Sequence, residues 1–165
     1  SDRVYSSVSY SIATQFIENI YLTGAGNLAV TGNNLANGVV GNSGNNVLNG
    51  GLGSDYLVGG GGNDFFTFNT VLGASNVDTI NDFNVAQDTI RVDNAIFTGL
   101  GGAGALAASA FHIGAAAHDV DDRIIYNSAT GALFYDSNGS VAGGAVQFAT
   151  LSKGLGLTNA DFLIV

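Results

Sequence analysis

Residues 50–67 read GGLGSDYLVGGGGNDFFT, which is two consecutive nonapeptides of one pattern. Two further copies precede them in the same phase, GNNLANGVV at 32–40 and GNSGNNVLN at 41–49. Every copy has glycine at position one, Asn or Asp at position six and an apolar residue at position eight. These residues are Gly32, Gly41, Gly50 and Gly59; Asn37, Asn46, Asp55 and Asp64; and Val39, Leu48, Leu57 and Phe66. The spacing indicates an internal repeat with a period of nine residues, and residues 23–31 resemble a degenerate earlier copy.

The composition of each copy predicts a tight turn followed by a very short strand. Glycine tolerates positive φ, and Asn and Asp tolerate left-handed backbone, so the first six residues favour a turn. The last three residues, with one inward apolar side chain, favour a strand of minimal length. Turns and strands that alternate at a fixed period predict a solenoid, in which two copies complete one coil. We therefore expect Asn37 to stack on Asp55 and Asn46 on Asp64.

Stacked turns of this kind offer a set of oxygen ligands. Each pair of turns contributes backbone carbonyl oxygens and two side-chain oxygens from Asn or Asp at position six. An all-oxygen set suits a hard cation of the size of calcium. The repeat therefore predicts calcium sites between turns that are 18 residues apart.

The copies GGLGSDYLV and GGGGNDFFT match the pattern GGxGxDxUx, in which U is a large apolar residue, and the chain therefore resembles RTX (repeats-in-toxin) proteins. The resemblance implies a parallel β-roll with calcium held by glycine carbonyls and the position-six aspartate. Carried over by position, the implied ligands are Gly50, Gly51, Gly53, Asp55, Gly59, Gly60, Gly62 and Asp64. The earlier copies have Asn in place of Asp, and weaker or empty sites are implied there at Asn33, Asn37, Gly41, Asn42, Gly44 and Asn46. A flexible glycine-rich linker is the alternative, but a linker need not keep an apolar residue at every ninth position.

Three segments follow from these patterns, and the fold class that they predict is all-β. Residues 1–22 hold strand-like stretches at 4–10 and 17–22, which we expect to form an edge or a cap. We expect residues 23–68 to form the roll. We expect residues 69–165 to form a β-rich capping region that also holds the secretion signal described below. Its predicted strands lie at 78–83, 88–92, 123–127, 132–136 and 146–151, and one short helix is expected within 99–117.

The stretch DTINDF at 78–83, followed by DTI at 88–90, resembles what comes after the last RTX repeat. The resemblance implies that Asp78 and Asp82 close the open end of the roll, with one further ion as an option. The alternative is that both are solvated carboxylates on a strand face, and the sequence favours neither reading.

Charge and composition exclude several classes of protein. The net charge is −9, from 13 acidic and four basic residues, so a nucleic-acid partner is not expected. The absence of cysteine excludes disulfides and thiolate chemistry. No apolar run has the length of a membrane span. Twelve of the acids are Asp, a residue of turns and ion ligation, which assigns the acidity to loops that hold a cation.

The C-terminal part resembles the type I secretion region of exported RTX proteins. The resemblance covers DDRIIYNSATGALFYDSNGS at 121–140 and the acidic-then-apolar stretch DFLIV at 161–165. It implies leaderless export to the outside of a bacterial cell, with the secretion apparatus as a partner through the C-terminus. We expect the chain to be a fragment of a longer exported protein, in which an upstream domain carries any catalytic activity.

No catalytic constellation is evident within the sequence itself. His112 and His118 lie beside Asp119, Asp121 and Asp122, but a zinc site would need a third converging ligand, so surface histidines are the simpler interpretation. Three functions remain. The first is a calcium-folded secretion and stability domain. The second is a module that binds a glycan or a cell surface on the calcium-loaded roll, and the third, an enzyme, lacks a site.

Overall fold

The computed structural model describes residues 2–165, which fold into two β-sheets. The strands are β1 (Arg3–Ser6), β2 (Tyr10–Ser11), β3 (Asn19–Leu22), β4 (Ala29–Thr31), β5 (Gly38–Val40), β6 (Val47–Asn49), β7 (Tyr56–Val58), β8 (Phe65–Phe68), β9 (Asp78–Ile80), β10 (Thr89–Val92), β11 (Gly104–Ala105), β12 (Phe111–Ile113), β13 (Ile124–Asn127), β14 (Ala132–Asp136), β15 (Ala145–Thr150) and β16 (Phe162–Ile164). Single 3₁₀ turns lie at Ala108–Ala110 and Asn159–Asp161. Among the described residues, no helix is long and apolar enough to cross a membrane.

From β1 to β10 the chain alternates between the two sheets. Of these ten strands, the odd-numbered ones join a nine-stranded sheet of order β1-β3-β5-β7-β9-β15-β14-β13-β12. The even-numbered ones join a seven-stranded sheet of order β11-β16-β10-β8-β6-β4-β2. All pairs within this part are parallel. The chain therefore winds as a parallel β-roll, and the predicted all-β fold is confirmed.

The core of the roll is built from one inward residue per short strand. In β5 and β7 the middle residues Val39 and Leu57 pair in register, 18 residues apart, and both are fully buried. In β6 and β8 the same relation joins Leu48 and Phe66. The residues on either side of each middle position are exposed or half-buried in β5, β6 and β7. A period of nine therefore places every position-eight side chain between the two sheets.

Residues that follow the repeats extend both sheets. β15 pairs in parallel with β9, and β16 pairs in parallel with β10, where Ile90 lies opposite Phe162. β13, β14 and β15 form an antiparallel meander beside them. One continuous cluster of buried side chains runs from Ile12 to Ile164. The capping region thus shares both sheets and the core with the roll, and the proposed division at 22 and 68 stays a prediction.

Two local predictions differ from the structure in detail. The stretch 4–10 is not one strand, because β1 ends at Ser6 and β2 begins at Tyr10 in the other sheet. The Ser6 hydroxyl donates to the Val8 carbonyl and accepts from the Val8 N–H, which fixes a corner between them. The short helix expected within 99–117 is the single 3₁₀ turn at Ala108–Ala110.

Candidate metal centre

The turns of the roll lie along its two long edges. We call the connections into β5, β7 and β9 the first edge and those into β6, β8 and β10 the second edge. The first edge consists of residues 32–37, 50–55 and 69–77, and the second of residues 41–46, 59–64 and 81–88. Every connection on one edge stacks on the next, because the strands that it joins are paired in parallel.

On the first edge the position-six residues form a ladder. The backbone N–H of Asn37 donates to Oδ1 of Asp55 at 2.8 Å, and the N–H of Asp55 donates to Oδ1 of Asp78 at 3.0 Å. All three side chains are buried. The expected stacking of Asn37 on Asp55 is therefore present, and Asp78, from beyond the repeats, adds one more rung.

The second edge repeats this arrangement. The N–H of Asn46 donates to Oδ1 of Asp64 at 2.7 Å, and the N–H of Asp64 donates to Oδ1 of Asp88 at 3.0 Å. Asp82 lies on the same edge and accepts the N–H groups of Gly59 and Gly60, each at 2.9 Å. Asp78 and Asp82 thus both contact the last repeat turns, and their role as calcium ligands stays a prediction.

Asp88 is a residue of this centre that the sequence reasoning missed. It was assigned only to a strand, whereas its carboxylate is buried beside Asp64 and also accepts the N–H of Asn84 at 2.9 Å. A signal was available, because the tripeptide Asp-Thr-Ile occurs at 78–80 and again at 88–90. Both copies place their aspartate above a position-six aspartate of the roll.

The glycines of the two full repeats permit the close approach of the aspartates. A Cβ atom at Gly50 would collide with Oδ2 of Asp55, and one at Gly59 with Oδ2 of Asp64. Positions two and four of both turns are left-handed, at Gly51, Gly53, Gly60 and Gly62, with φ of 96°, 113°, 92° and 101°. Such values favour glycine. The two turns therefore have one backbone path that only glycine at these positions allows without strain.

The two earlier turns follow a different path. Within 32–37 and 41–46, all of whose residues are described, none has a positive φ. This holds even for Gly44, which occupies position four, where Gly53 and Gly62 are left-handed. The substitutions in these copies thus change the backbone as well as the side chains.

Asparagine amides join the earlier turns to the coil that precedes them. Nδ2 of Asn33 donates to the carbonyls of Gln15 at 2.8 Å and Ile17 at 2.9 Å, and Nδ2 of Asn37 donates to Ile17 at 3.0 Å. On the second edge, Nδ2 of Asn42 donates to the carbonyl of Gly26 at 3.1 Å, and Nδ2 of Asn46 donates to it at 3.4 Å. Neutral amide donors therefore bridge these turns to the coil before them.

The acidic turns have no such donor and carry a high electrostatic cost. Burial raises the pKa of Asp55 to about 6, although the Asn37 N–H lowers it. Burial raises the pKa of Asp64 to about 6, against the lowering effect of the Asn46 N–H and with a further rise from the charge of Asp88. For Asp78, burial and then the charge of Asp55 raise the pKa to about 8. Burial also raises the pKa of Asp88.

These groups fit a hard cation. Oδ2 of Asp55 is buried and has no hydrogen-bond partner among the described residues. The ion pairs of residues 2–165 involve only histidines with Asp119 or Asp122, so no basic side chain neutralises Asp55, Asp64 or Asp78. A buried carboxylate without a partner is costly, and an oxygen-rich turn is what calcium selects. The fit is good at the turns 50–55 and 59–64 and poorer where the Asn amides already donate.

The parallel roll with stacked acidic turns defines a class of repeat protein, and a comparison with known families specifies it. The family model described as the RTX calcium-binding nonapeptide repeat, in four copies, matches residues 31–66. No curated protein matches the chain. Residues 31–66 therefore match RTX repeats, as the sequence pattern predicted, and the matched repeats support a calcium-binding domain.

Proposed function

We propose that this domain folds when its acidic turns bind calcium, and that it does so outside the cell as part of an exported protein. The single observation that carries the proposal is the buried Oδ2 of Asp55, which has no partner among residues 2–165. Asp78 lies beside it on the first edge, and Asp64 and Asp88 are buried on the second edge, and burial raises the pKa values of all three. A fold that buries this much uncompensated negative charge gains most from a divalent cation.

Without calcium, both conformational entropy and charge repulsion oppose folding of the roll. Ordering a glycine-rich segment costs more conformational entropy than ordering an average one, and each coil returns only a small core. Repulsion between Asp55 and Asp78, and among Asp64, Asp82 and Asp88, adds to that cost. We expect the turns at 50–55 and 59–64 to hold calcium through Asp55, Asp64 and neighbouring carbonyls. The bound ion supplies positive charge, so its binding free energy becomes folding free energy.

Because of the asparagine amides, the two ends of the roll depend on calcium for folding to different extents. Coils up to the turn 41–46 are joined by neutral hydrogen bonds from Asn33, Asn37, Asn42 and Asn46. Coils beyond it depend on the acidic turns. Folding therefore depends on calcium mainly from Gly50 onward, while the earlier coils pack against that part once it is formed.

A calcium titration tests the proposal. Far-ultraviolet circular dichroism and hydrodynamic radius are followed as calcium is added to the chelator-treated chain, with magnesium as the control ion. We expect β-structure to appear and the radius to fall with calcium and much less with magnesium. A chain that is equally compact in chelator would contradict calcium-dependent folding. Extracellular calcium modules typically have affinities of about 10⁻⁴ to 10⁻³ M, which sets the range of the titration.

Export by a type I secretion apparatus is the second part of the proposal. It rests on the resemblance of residues 121–140 and 161–165 to the C-terminal regions of exported RTX proteins. Deleting residues from Arg123 onward is expected to abolish export in a host that carries such an apparatus, and the host without it serves as the control. Undiminished export of the truncated chain would exclude this role. The region described needs no catalytic activity of its own in this proposal.

A module that binds an uncharged glycan is the second candidate function, because one groove favours it. The groove has a volume of about 590 Å³ on the first edge, and Phe16 at its rim is 82% exposed. Its lining includes Gln15, Asn34 and Asn49 and no charged residue. An exposed ring beside amides can stack on and hydrogen-bond to a sugar. A glycan array in calcium, repeated with Phe16→Ala, tests this: binding lost in the variant supports the module, and no binding excludes it.

A further inference from the structure

A cluster of histidines and aspartates lies far from the calcium turns. It is formed by His112 in β12 and by His118, Asp119 and Asp122 in the loop between β12 and β13. In the nine-stranded sheet β12 is the terminal strand, five positions along from β7, which follows the turn 50–55. With strands about 4.8 Å apart, these five positions correspond to roughly 24 Å along the sheet. It is therefore a site of its own.

The structure supplies the third ligand that the two histidines lack in sequence. His118 stacks on His112 with ring centroids 5.6 Å apart and an interplanar angle of 18°. Nδ1 of His112 lies 3.9 Å from Oδ2 of Asp122, and Nδ1 of His118 lies 3.7 Å from Oδ2 of Asp119. One ligand atom from each of His118, Asp119 and Asp122 lies within 4.8 Å of the other two. Three potential ligands thus converge, and His112 lies next to them through Asp122 and the ring of His118.

The backbone orients the two carboxylates of the cluster. Oδ2 of Asp122, which is buried, accepts the N–H of His118 at 2.6 Å and that of Asp119 at 3.0 Å. Oδ1 of Asp119 accepts the N–H groups of Asp121 at 2.9 Å and Asp122 at 3.3 Å, so its other oxygen faces His118. These bonds within the loop hold the carboxylates beside the imidazoles without any added ion.

The nearest cation does not neutralise the cluster. The guanidinium of Arg123 donates to the carbonyls of Val120 and Asp122, each at 2.8 Å, and forms no ion pair with either carboxylate. The site therefore combines two negative charges with two imidazoles. His118, with its side chain 76% exposed, has room to rotate toward a common centre.

We propose that His112, His118, Asp119 and Asp122 bind a divalent transition metal ion of the zinc class. Imidazole nitrogen together with carboxylate oxygen suits zinc, cobalt, nickel and copper, whereas calcium and magnesium take oxygen ligands. His118, Asp119 and Asp122 would supply one nitrogen and two oxygens, and His112, which lies 3.9 Å from Asp122, would add a second nitrogen. The ion would join the exposed loop 114–122 to the terminal strand of the sheet, and so brace an edge that has no neighbouring strand in the described chain.

The experiment uses the full chain, without a histidine tag, in saturating calcium so that the roll is loaded. Zinc binding is measured by calorimetry, and cobalt binding by its visible ligand-field absorption. We expect one equivalent of zinc, and the absorption of a site with nitrogen ligands for cobalt. His118→Asn and Asp122→Asn are each expected to weaken binding by about tenfold or more, as losses of groups around a metal commonly do.

Asp121→Asn is the matched control, because Asp121 lies in the same loop but is exposed and outside the cluster. Its zinc affinity should equal that of the unchanged chain. His118 is exposed, so its substitution should leave the circular dichroism spectrum and calcium affinity unaltered. Zinc binding that is absent in the unchanged chain, or that survives intact in the double variant His112→Asn and His118→Asn, would overturn the proposal.

Discussion

The backbone N–H of Asp55 donates a 3.0 Å hydrogen bond to Oδ1 of Asp78, a residue that lies beyond the matched repeats. The last turn of the first edge is therefore completed by the segment that follows the repeats. The second edge is completed in the same way by Asp88 over Asp64. The carboxylates of Asp78 and Asp88 thus do two things: they accept a buried N–H, and they add negative charge next to the aspartates of the repeats.

The two roles of Asp78 can be separated by substitution. Asp78→Asn keeps an acceptor for the N–H of Asp55 but removes the charge that repels Asp55. In chelator above about pH 8, we expect this variant to be more folded than the unchanged chain, with weaker calcium binding. Asp78→Ala also removes the acceptor, and should lower the free energy of unfolding in calcium by about 1–3 kcal/mol. Urea denaturation with and without calcium measures both, and an Asn variant less folded in chelator would refute the reasoning.

Acidification should favour folding of the ion-free chain. In the folded chain the pKa values of Asp55 and Asp64 are raised to about 6 and that of Asp78 to about 8, from an ordinary 3.8. At pH values between the ordinary pKa and the raised pKa of the folded state, the folded state binds more protons than the unfolded state. The stability of the folded state therefore rises as the pH falls, and it is lost as the pH rises through the folded-state pKa values. Circular dichroism in chelator, scanned from about pH 8 down to about pH 5, should show a growing folded fraction.

Calcium should reverse this pH dependence. Carboxylates must be ionised to bind the ion, so acidification releases calcium and lowers the stability of the loaded chain. The folded fractions in calcium and in chelator are therefore expected to converge as the pH falls. A chain in chelator that loses structure over the same range would show that the buried aspartates do not control folding.

Gly50 should be intolerant of any side chain, whereas Gly61 should accept one. A Cβ atom at Gly50 collides with the Asp55 carboxylate, while one at Gly61 meets Ser43 at an ordinary 3.7 Å. We expect Gly50→Ala to reduce the free energy of unfolding in calcium by about 1–3 kcal/mol and to weaken calcium binding. Gly61→Ala should stay within about 0.5 kcal/mol of the unchanged chain. Equal effects of the two substitutions would argue against a carboxylate packed on the position-one glycine.

Asp64 and Asn37 occupy the same repeat position but should contribute differently to calcium binding. Asp64→Ala removes a charged ligand, so we expect a lower stoichiometry or an affinity about tenfold weaker. Asn37→Ala removes an amide that already donates to the carbonyl of Ile17, and should leave the number of bound ions unchanged. It should instead cost about 1–3 kcal/mol of stability in saturating calcium. Calorimetry and urea denaturation distinguish the two, and similar losses of calcium would contradict the ranking.

Phe162 should be needed for the stability of the whole domain. Its buried side chain lies opposite Ile90 in the pairing of β16 with β10. The centroids of the Phe162 and Phe111 rings are 5.4 Å apart. Phe162→Ala is expected to lower the free energy of unfolding in calcium by about 3–5 kcal/mol. Leu163, the next residue, is only half-buried, so Leu163→Ala should cost about 1 kcal/mol or less. If the two costs were alike, β16 would not be a structural part of the roll.

The winding of the roll could be predicted because it is determined by a short repeat in the sequence. A period of nine, with Val39, Leu48, Leu57 and Phe66 at one position, determines both the winding and the 18-residue register. The pairing of β15 with β9 and of β16 with β10 was not predictable, since it depends on contacts between strands about 70 residues apart, and short apolar strands offer many equivalent partners.

Within the site, sequence reasoning succeeded where the turn is regular. Asp55 and Asp64 were identified by their position in the repeat. Asp88 was missed because the connection before it is longer than a repeat turn, which breaks the period. The different path of the earlier turns was also hidden, because Gly44 occupies the position of Gly53 and Gly62 yet has no positive φ. The residues are alike, but the hydrogen bonds of Asn42 and Asn46 select another backbone.

Because β16 pairs with β10, the end of the chain that emerges first decides when this contact can form. A polypeptide that folds as it is synthesised presents β10 long before β16 exists, and leaves the apolar end of the roll uncovered meanwhile. A polypeptide that emerges with its C-terminus first presents β16 and the antiparallel strands β13–β15 first, so β16 is already available when β10 appears. The same sequence would then be prone to aggregate when delivered in one direction and protected when delivered in the other.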